Sequence, residues 1–152
     1  MVGTRSVPST LKIVGTLRGS QNGPRTYFSG GGGLVSTASD YARFAQMMLN
    51  DGELDGVRLL SRKTVALMTT HQLDDMGVDF GFGLGFSIVR DALDLNEVGS
   101  VGMYSGGGFF YTNFFIDPQE RMIGIFMCQL HPSGGLDIGE KVRILSYQAI
   151  AD

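Results

Sequence analysis

The stretch "GSVGMYSGGGFFYTNFFIDPQERMIGIFM", residues 99–127, decides the fold. Within it, Asp117-Pro118-Gln119-Glu120 reads as a tight turn, because Pro118 suits position i+1 of a type I turn and Asp117 suits position i. The runs on either side, residues 109–116 and 122–128, then become the arms of a hairpin, and residues 98–104 supply a further strand. Met122–Cys128 is apolar on both faces, which predicts a central strand covered on each side.

Upstream, Phe82, Leu84, Phe86 and Ile88 alternate with Gly83, Gly85 and Ser87. That period of two predicts a strand with one bulky face and one nearly bare face. A bare face invites another backbone, a helix or a ligand to lie close against it. Further upstream the period is helical. Thr37 and Asp40 have the spacing of a helix N-terminus, and Tyr41, Phe44, Ala45, Met48 and Leu49 fall on one face. Gly52 is a natural stop. Ser61 is placed to cap a second helix over 62–70. At the far end, residues 136–151 predict an amphipathic helix with Ile138, Val142, Leu145 and Ala149 in one stripe.

Helices, an antiparallel sheet and a closing helix make an α+β domain, an antiparallel sheet flanked by helices. The domain is expected over residues 29–152. It is preceded by an irregular Gly/Ser/Pro-rich segment, residues 1–28, whose "LKIVGTL" (11–17) is a short candidate strand.

Composition narrows the function classes. The formal net charge is −3 and no basic run occurs, which argues against nucleic-acid and anionic-membrane partners. No apolar stretch approaches the roughly 18 residues of a membrane helix, and the N-terminal residues lack the apolar core of a signal peptide. A cytoplasmic chain, as expressed, is therefore expected. The single cysteine, Cys128, reads as a small buried hydrophobe, with neither a disulfide framework nor a zinc pattern. His71 and His131 read as exposed loop histidines. Asp74, Asp75 and Asp79 read as a solvated loop. No metal and no cofactor are expected. Glycine stands out, with 23 residues clustered at 29–33, 81–85 and 105–108, where tight turns and close backbone approach are the default reading.

Two long phrases carry a resemblance. "SGGGGLVSTASDYARFAQMMLNDGELDGVRLLSRKTVALMTTHQ" (29–72) and "GSVGMYSGGGFFYTNFFIDPQERMIGIFMCQ" (99–129), with "GFGLGFSIV" between them, resemble the C-terminal part of the class C beta-lactamase-related serine hydrolases. That group includes beta-lactamases, penicillin-binding DD-peptidases and esterases. The resemblance implies a partial beta-lactamase/transpeptidase-like fold. It also implies three motifs: a Ser-x-x-Lys supplying nucleophile and base, a Tyr-x-Asn assisting proton transfer, and a third motif on a sheet strand that lends an oxyanion-hole N–H. The first two lie far upstream of the region resembled.

Three weak catalytic candidates remain. Ser9 and Lys12 spell Ser-x-x-Lys, but too close to the third motif for the family's spacing, and Ser105 adjoins that motif. "YTN" (111–113) spells Tyr-x-Asn inside the third-motif strand, where the pattern does not place it. The third-motif strand itself is Gly106, Gly107, Gly108 and Phe109. Where relatives run roughly G-W-G-G-A-A-G-T, this chain has Ser105-Gly106-Gly107-Gly108-Phe109-Phe110-Tyr111-Thr112. Tryptophan has become Gly106 and a run of small residues has become three aromatics. Rings at alternate positions of a strand would fill the space of an acyl group.

The reading is a truncated beta-lactamase-like domain, inactive alone. The alternatives are a working esterase or beta-lactamase-type hydrolase on a rebuilt site, and a non-catalytic module binding a small acyl ligand or a peptide. In relatives, strands from the front of the chain pair beside the last strand. The outer edge of Met122–Cys128 is therefore expected to pair with residues 11–17 or with a second copy, giving a homodimer through that edge.

Overall fold

The computed structural model describes residues 34–73, 81–91, 98–133 and 135–151. The chain divides into two compact units, Met1–Val35 and Ser36–Asp152, and every element below belongs to the second. The expected strand at 11–17 lies outside the described residues, as do Ser9, Lys12, Asp74, Asp75 and Asp79.

Thr37 starts helix α1, Ala38–Leu49. Its hydroxyl accepts the Asp40 N–H at 3.1 Å and donates to the Asp40 carboxylate at 2.9 Å, so the cap and its acid hold each other. Ala45, Met47 and Met48 are buried, with Tyr41 and Leu49 half-buried beside them. Asn50 closes the helix, and Asp51 and Gly52, both at positive φ, turn the chain into the two-residue strands β1 (Glu53–Leu54) and β2 (Val57–Arg58). Gly52 has to be glycine, since a Cβ there would stand 2.3 Å from the Leu60 carbonyl oxygen. Ser61 then caps α2, Arg62–Met68, by accepting the Thr64 N–H at 3.0 Å. This helix ends two residues before the predicted stop.

The larger sheet has five antiparallel strands in chain order: β3 (Gly81–Phe82), β4 (Ser87–Ile88), β5 (Tyr104–Gly107), β6 (Asn113–Asp117) and β7 (Met122–Phe126). It corrects the sequence reading in four places. Residues 82–88 are a hairpin, not one strand. Gly83 N–H bonds the Phe86 carbonyl at 2.8 Å, and Gly85 takes φ 96°, which only the bare side of the alternating pattern permits. The expected close neighbour exists at Gly83, where a Cβ would stand 2.2 Å from the Met68 carbonyl oxygen. Residues 98–103 form a turn through Gly102, and pairing begins at Tyr104. Residues 109–112 are a loop, so β6 begins at Asn113. Finally, β7 is outermost among the described strands. Helices cover both of its faces, α1 on one and α3 (Ile138–Tyr147) on the other, so apolarity on both sides did not require strands on both sides.

Asp117 makes the β6–β7 turn as expected and does more. It is fully buried, and its Oδ1 accepts the N–H groups of Gln119 (3.0 Å) and Glu120 (3.2 Å). Consecutive β6 residues point to opposite faces, which separates Phe114 from Phe115. Each ring lies over a glycine directly across the ladder: Phe114 over Gly106 of β5, Phe115 over Gly124 of β7. A Cβ at Gly106 would stand 2.8 Å from Phe114 Cε1, and one at Gly124 only 2.0 Å from Phe115 Cε1. The glycines make room for aromatics supplied by the neighbouring strand.

The main core lies on the α1 face: Ala45, Met48, Val65, Phe86, Ile88, Tyr104 and Ile116. On the other face α3 is rotated from its predicted setting. Its half-buried side is Gly139, Val142, Arg143, Ser146 and Tyr147, whereas Ile138, Leu145 and Ala149 are exposed. Two contacts fix this rotation. Tyr147 stacks on Phe115 at 5.8 Å while its hydroxyl donates to Asp117 Oδ2, and Gly139 sits against the Asn113 side chain. Among the described residues no helix is long and apolar enough to cross a membrane.

Candidate active-site strand

Of the four residues expected as the third-motif strand, Gly106 and Gly107 end β5, whereas Gly108 and Phe109 lie in the loop that follows it. Ser87 pairs with Ser105 as the last rung of the β4–β5 ladder, so Gly106 and Gly107 run past the end of β4 and are held from the β6 side, opposite Phe114 and Asn113. The chain then folds into a five-residue loop. Gly108 N–H bonds the Thr112 carbonyl at 2.8 Å and Tyr111 N–H bonds the Gly108 carbonyl at 2.9 Å. A Cβ at Gly108 would stand 2.3 Å from Thr112 Oγ1, so a larger residue there would have to turn that hydroxyl away.

The three aromatics of this loop do not alternate along a strand, contrary to the sequence expectation. Phe109 is 70% exposed and stacks on His131 at 4.1 Å, with Phe110 edge-on to both rings. The Phe110 carbonyl accepts the Leu130 N–H at 3.0 Å, and Cys128 Sγ lies 3.5 Å from that carbonyl and 3.4 Å from the next. Tyr111 has φ 68°, the left-handed region that favours glycine. Its hydroxyl donates to the Leu136 carbonyl at 2.8 Å and accepts the Gly139 N–H at 3.3 Å. That bond satisfies an amide in the first turn of α3, whose N-cap Asp137 makes no side-chain capping bond. Tyr111 thus ties the third-motif loop to the last helix, a link that no local pattern in the sequence announces.

The sheet end is hollow on both sides. On the α3 face a pocket of about 200 Å³ is lined by Ser105, Asn113, Phe115, Glu140 and Arg143, among others. Burial holds the Arg143 guanidinium below its ordinary pKa, a charge partly withdrawn from water. Ser105 Oγ makes no hydrogen bond among the described residues. On the α1 face a smaller pocket, about 120 Å³, is lined by Tyr41, Gly107, Gly108, Thr112, Phe114 and Met127. Tyr41 packs on Phe114 at 4.9 Å, and burial raises its phenol pKa.

Ser105 through Phe109 are therefore contiguous at the site, as their sequence order requires, but Ser105 faces α3 while the glycine pocket opens toward α1. Sequence reasoning missed Tyr41, Glu140 and Arg143 as site residues, because nothing local marks a residue that reaches a site through the tertiary fold. Of the two histidines, His131 is exposed as expected. His71 is not: it is half-buried, and its Nδ1 accepts the Phe82 N–H at 3.0 Å, a structural bond at the start of the sheet.

The beta-lactamase family model matches residues 4–149. The chain belongs to the beta-lactamase family. Two curated relatives, "Uncharacterized protein MT1414" and "Protein Rv1367c" from two strains of Mycobacterium tuberculosis, are each 37% identical over 133 residues, covering 78% of this chain. The chain spans about a third (33%) of the length of these relatives. The antiparallel sheet with its flanking helices fits a partial beta-lactamase-like fold.

Proposed function

We propose that this chain is the third-motif portion of a beta-lactamase-type serine hydrolase and that, alone, it turns over neither β-lactams nor short-chain esters. A serine nucleophile needs a base in hydrogen-bond contact to take its proton. The observation carrying the proposal is that Ser105 Oγ has no such contact: Asn113 and Arg143 share its pocket but neither is a base, and Glu140 is exposed and not bonded to it. Ser9 and Lys12 stand far too close in sequence to Gly106 to fill the upstream motif's place.

The test is hydrolysis of nitrocefin and p-nitrophenyl butyrate, with a fluorophosphonate probe for covalent labelling. No turnover above buffer and no label are expected. Turnover that disappears in Ser9→Ala or Ser105→Ala overturns the proposal and identifies the nucleophile.

A second reading, non-catalytic binding of a short acyl group, is favoured by the pocket between Tyr41 and Gly107–Gly108. Its roughly 120 Å³ and its apolar walls, Phe114, Ile125 and Met127, suit a few carbons, and Thr112 offers a hydroxyl at one side. Butyrate titration followed on the Met127 methyl resonance should move that signal. A methyl unmoved at millimolar butyrate rules this reading out.

A further inference from the structure

The hollow on the α3 face is built by the register of the sheet. One row across the strands reads Ser105, Phe115, Gly124, and a second reads Gly107, Asn113, Phe126. Phe115 leans over Gly124, where a Cβ would stand 2.0 Å from its ring, so the ring points away from Ser105. Gly107 has no side chain to close the opposite corner. What remains is the pocket of about 200 Å³, bounded on the helix side by Val142 and Arg143. It lies across the sheet from the pocket beside Tyr41.

The polar groups of this hollow converge. Ser105 and Asn113 are half-buried, and among the described residues neither side chain makes a hydrogen bond. Polar side chains withdrawn from bulk water ordinarily have partners, and here two with donors to offer open on one cavity. Arg143 adds a half-buried guanidinium whose pKa burial has lowered. A cation partly stripped of water gains more from an anion than a fully hydrated one does. Phe115 and Phe126 supply apolar walls.

We infer that the hollow binds a small monocarboxylic acid with a flat apolar body, of which benzoate is the simplest probe. A carboxylate only accepts hydrogen bonds, and its two oxygens match the planar fork of a guanidinium. Arg143 takes the carboxylate, Ser105 and Asn113 donate to its remaining lone pairs, and the body of the acid lies against the two phenylalanine rings. Glu140, exposed at the mouth, sets the charge that the site accepts. Beside one carboxylate and one guanidinium a monoanion is held, whereas a dianion such as phosphate meets repulsion. The volume is below the roughly 300–1,000 Å³ of drug-sized sites, which limits the ligand to a single ring and its affinity to about the millimolar range.

Titration of the 152-residue chain with benzoate, followed by NMR on the buried Arg143 Nε–H and on the Gly124 amide, tests the inference. Both signals are expected to move and to saturate. Benzyl alcohol, which has the same ring and no charge, should bind about tenfold more weakly or less. Arg143→Met should abolish saturation while the circular dichroism stays that of the parent, and Ser105→Ala should weaken binding without abolishing it. Should Arg143→Met lose the fold, the comparison of benzoate with benzyl alcohol on the parent chain decides by itself. The inference is overturned if neither signal moves, if benzyl alcohol matches benzoate, or if inorganic phosphate displaces benzoate at equal concentration. Binding that survives in folded Arg143→Met overturns it as well. So do shifts confined to the Met127 methyl, which would place the acid in the α1-face pocket instead.

Discussion

On the α1 side of the sheet, Ile116, Tyr104, Phe86 and Ile88 meet Met48, Ala45 and Val65 in a continuous apolar layer. On the α3 side the contacts that set the helix are individual and polar: the Tyr147 hydroxyl on Asp117, Asn113 against Gly139, and the Tyr111 hydroxyl in the first turn of α3. The first kind of face depends on buried area and tolerates detail. The second depends on direction, so a few bonds decide the rotation of a whole helix even against its own apolar pattern. The same sheet shows both.

The largest effect should come from the apolar side. Ile116 is fully buried among core residues, and Ile116→Ala is expected to cost about 2–5 kcal/mol, read as a lowered urea midpoint by circular dichroism. Tyr147→Phe keeps the ring on Phe115 but leaves Asp117 Oδ2 buried without its donor, and should cost less, about 1–3 kcal/mol. A Tyr147→Phe loss as large as that of Ile116→Ala would break the contrast between the faces.

Tyr147 also sharpens the contrast through pH. Burial, with the bond to the Asp117 carboxylate next in size, raises its phenol pKa above the ordinary value. The folded state therefore keeps a proton that the unfolded state releases. This contribution is whole below about pH 10 and is lost as pH rises beyond it. Tyr104 is raised as well, by burial first and by the charge of Asp51 second, and Tyr41 by burial, so the alkaline fall in stability has three sources. Tyr147→Phe should flatten that fall in part. An unchanged alkaline limb would assign the whole effect to Tyr104 and Tyr41.

The smallest change is Tyr111→Phe, which removes one hydroxyl from the loop–helix tie at a cost of about 0.5–1.5 kcal/mol. Amide exchange should quicken at Gly139, the amide that loses its acceptor. Equal exchange there in both proteins would show that the tie is not maintained in solution.

What the sequence made legible divides along the same line. Helix α1 could be read from Thr37, Asp40 and the spacing of Ala45 and Met48, because capping and burial are local and periodic. The β6–β7 turn could be read from Asp117-Pro118. The hairpin at 83–86 could not, since Gly83-Leu84-Gly85 keeps strand alternation up to the point where Gly85 adopts a positive φ. The rotation of α3 could not either, because Asp117 and Tyr147 are 30 residues apart and nothing in the stripe of Ile138 and Leu145 announces their bond. At the site, the glycines of β5 were visible as a run. Tyr41, Arg143 and the tie of Tyr111 to α3 depend on which elements the fold brings together.

One consequence of Phe114 lying over Gly106 concerns how substitutions at the two positions combine. The two positions face each other across the ladder and share one volume, which holds a single large ring. A bulky side chain at position 106 needs the ring at 114 to move aside, and loss of that ring alone leaves a void on the α1 face. Either single step passes through a less stable protein, whereas the paired exchange conserves volume. Positions 106 and 114 are thus coupled, and the aromatic on β6 sets how large a side chain β5 can carry opposite it.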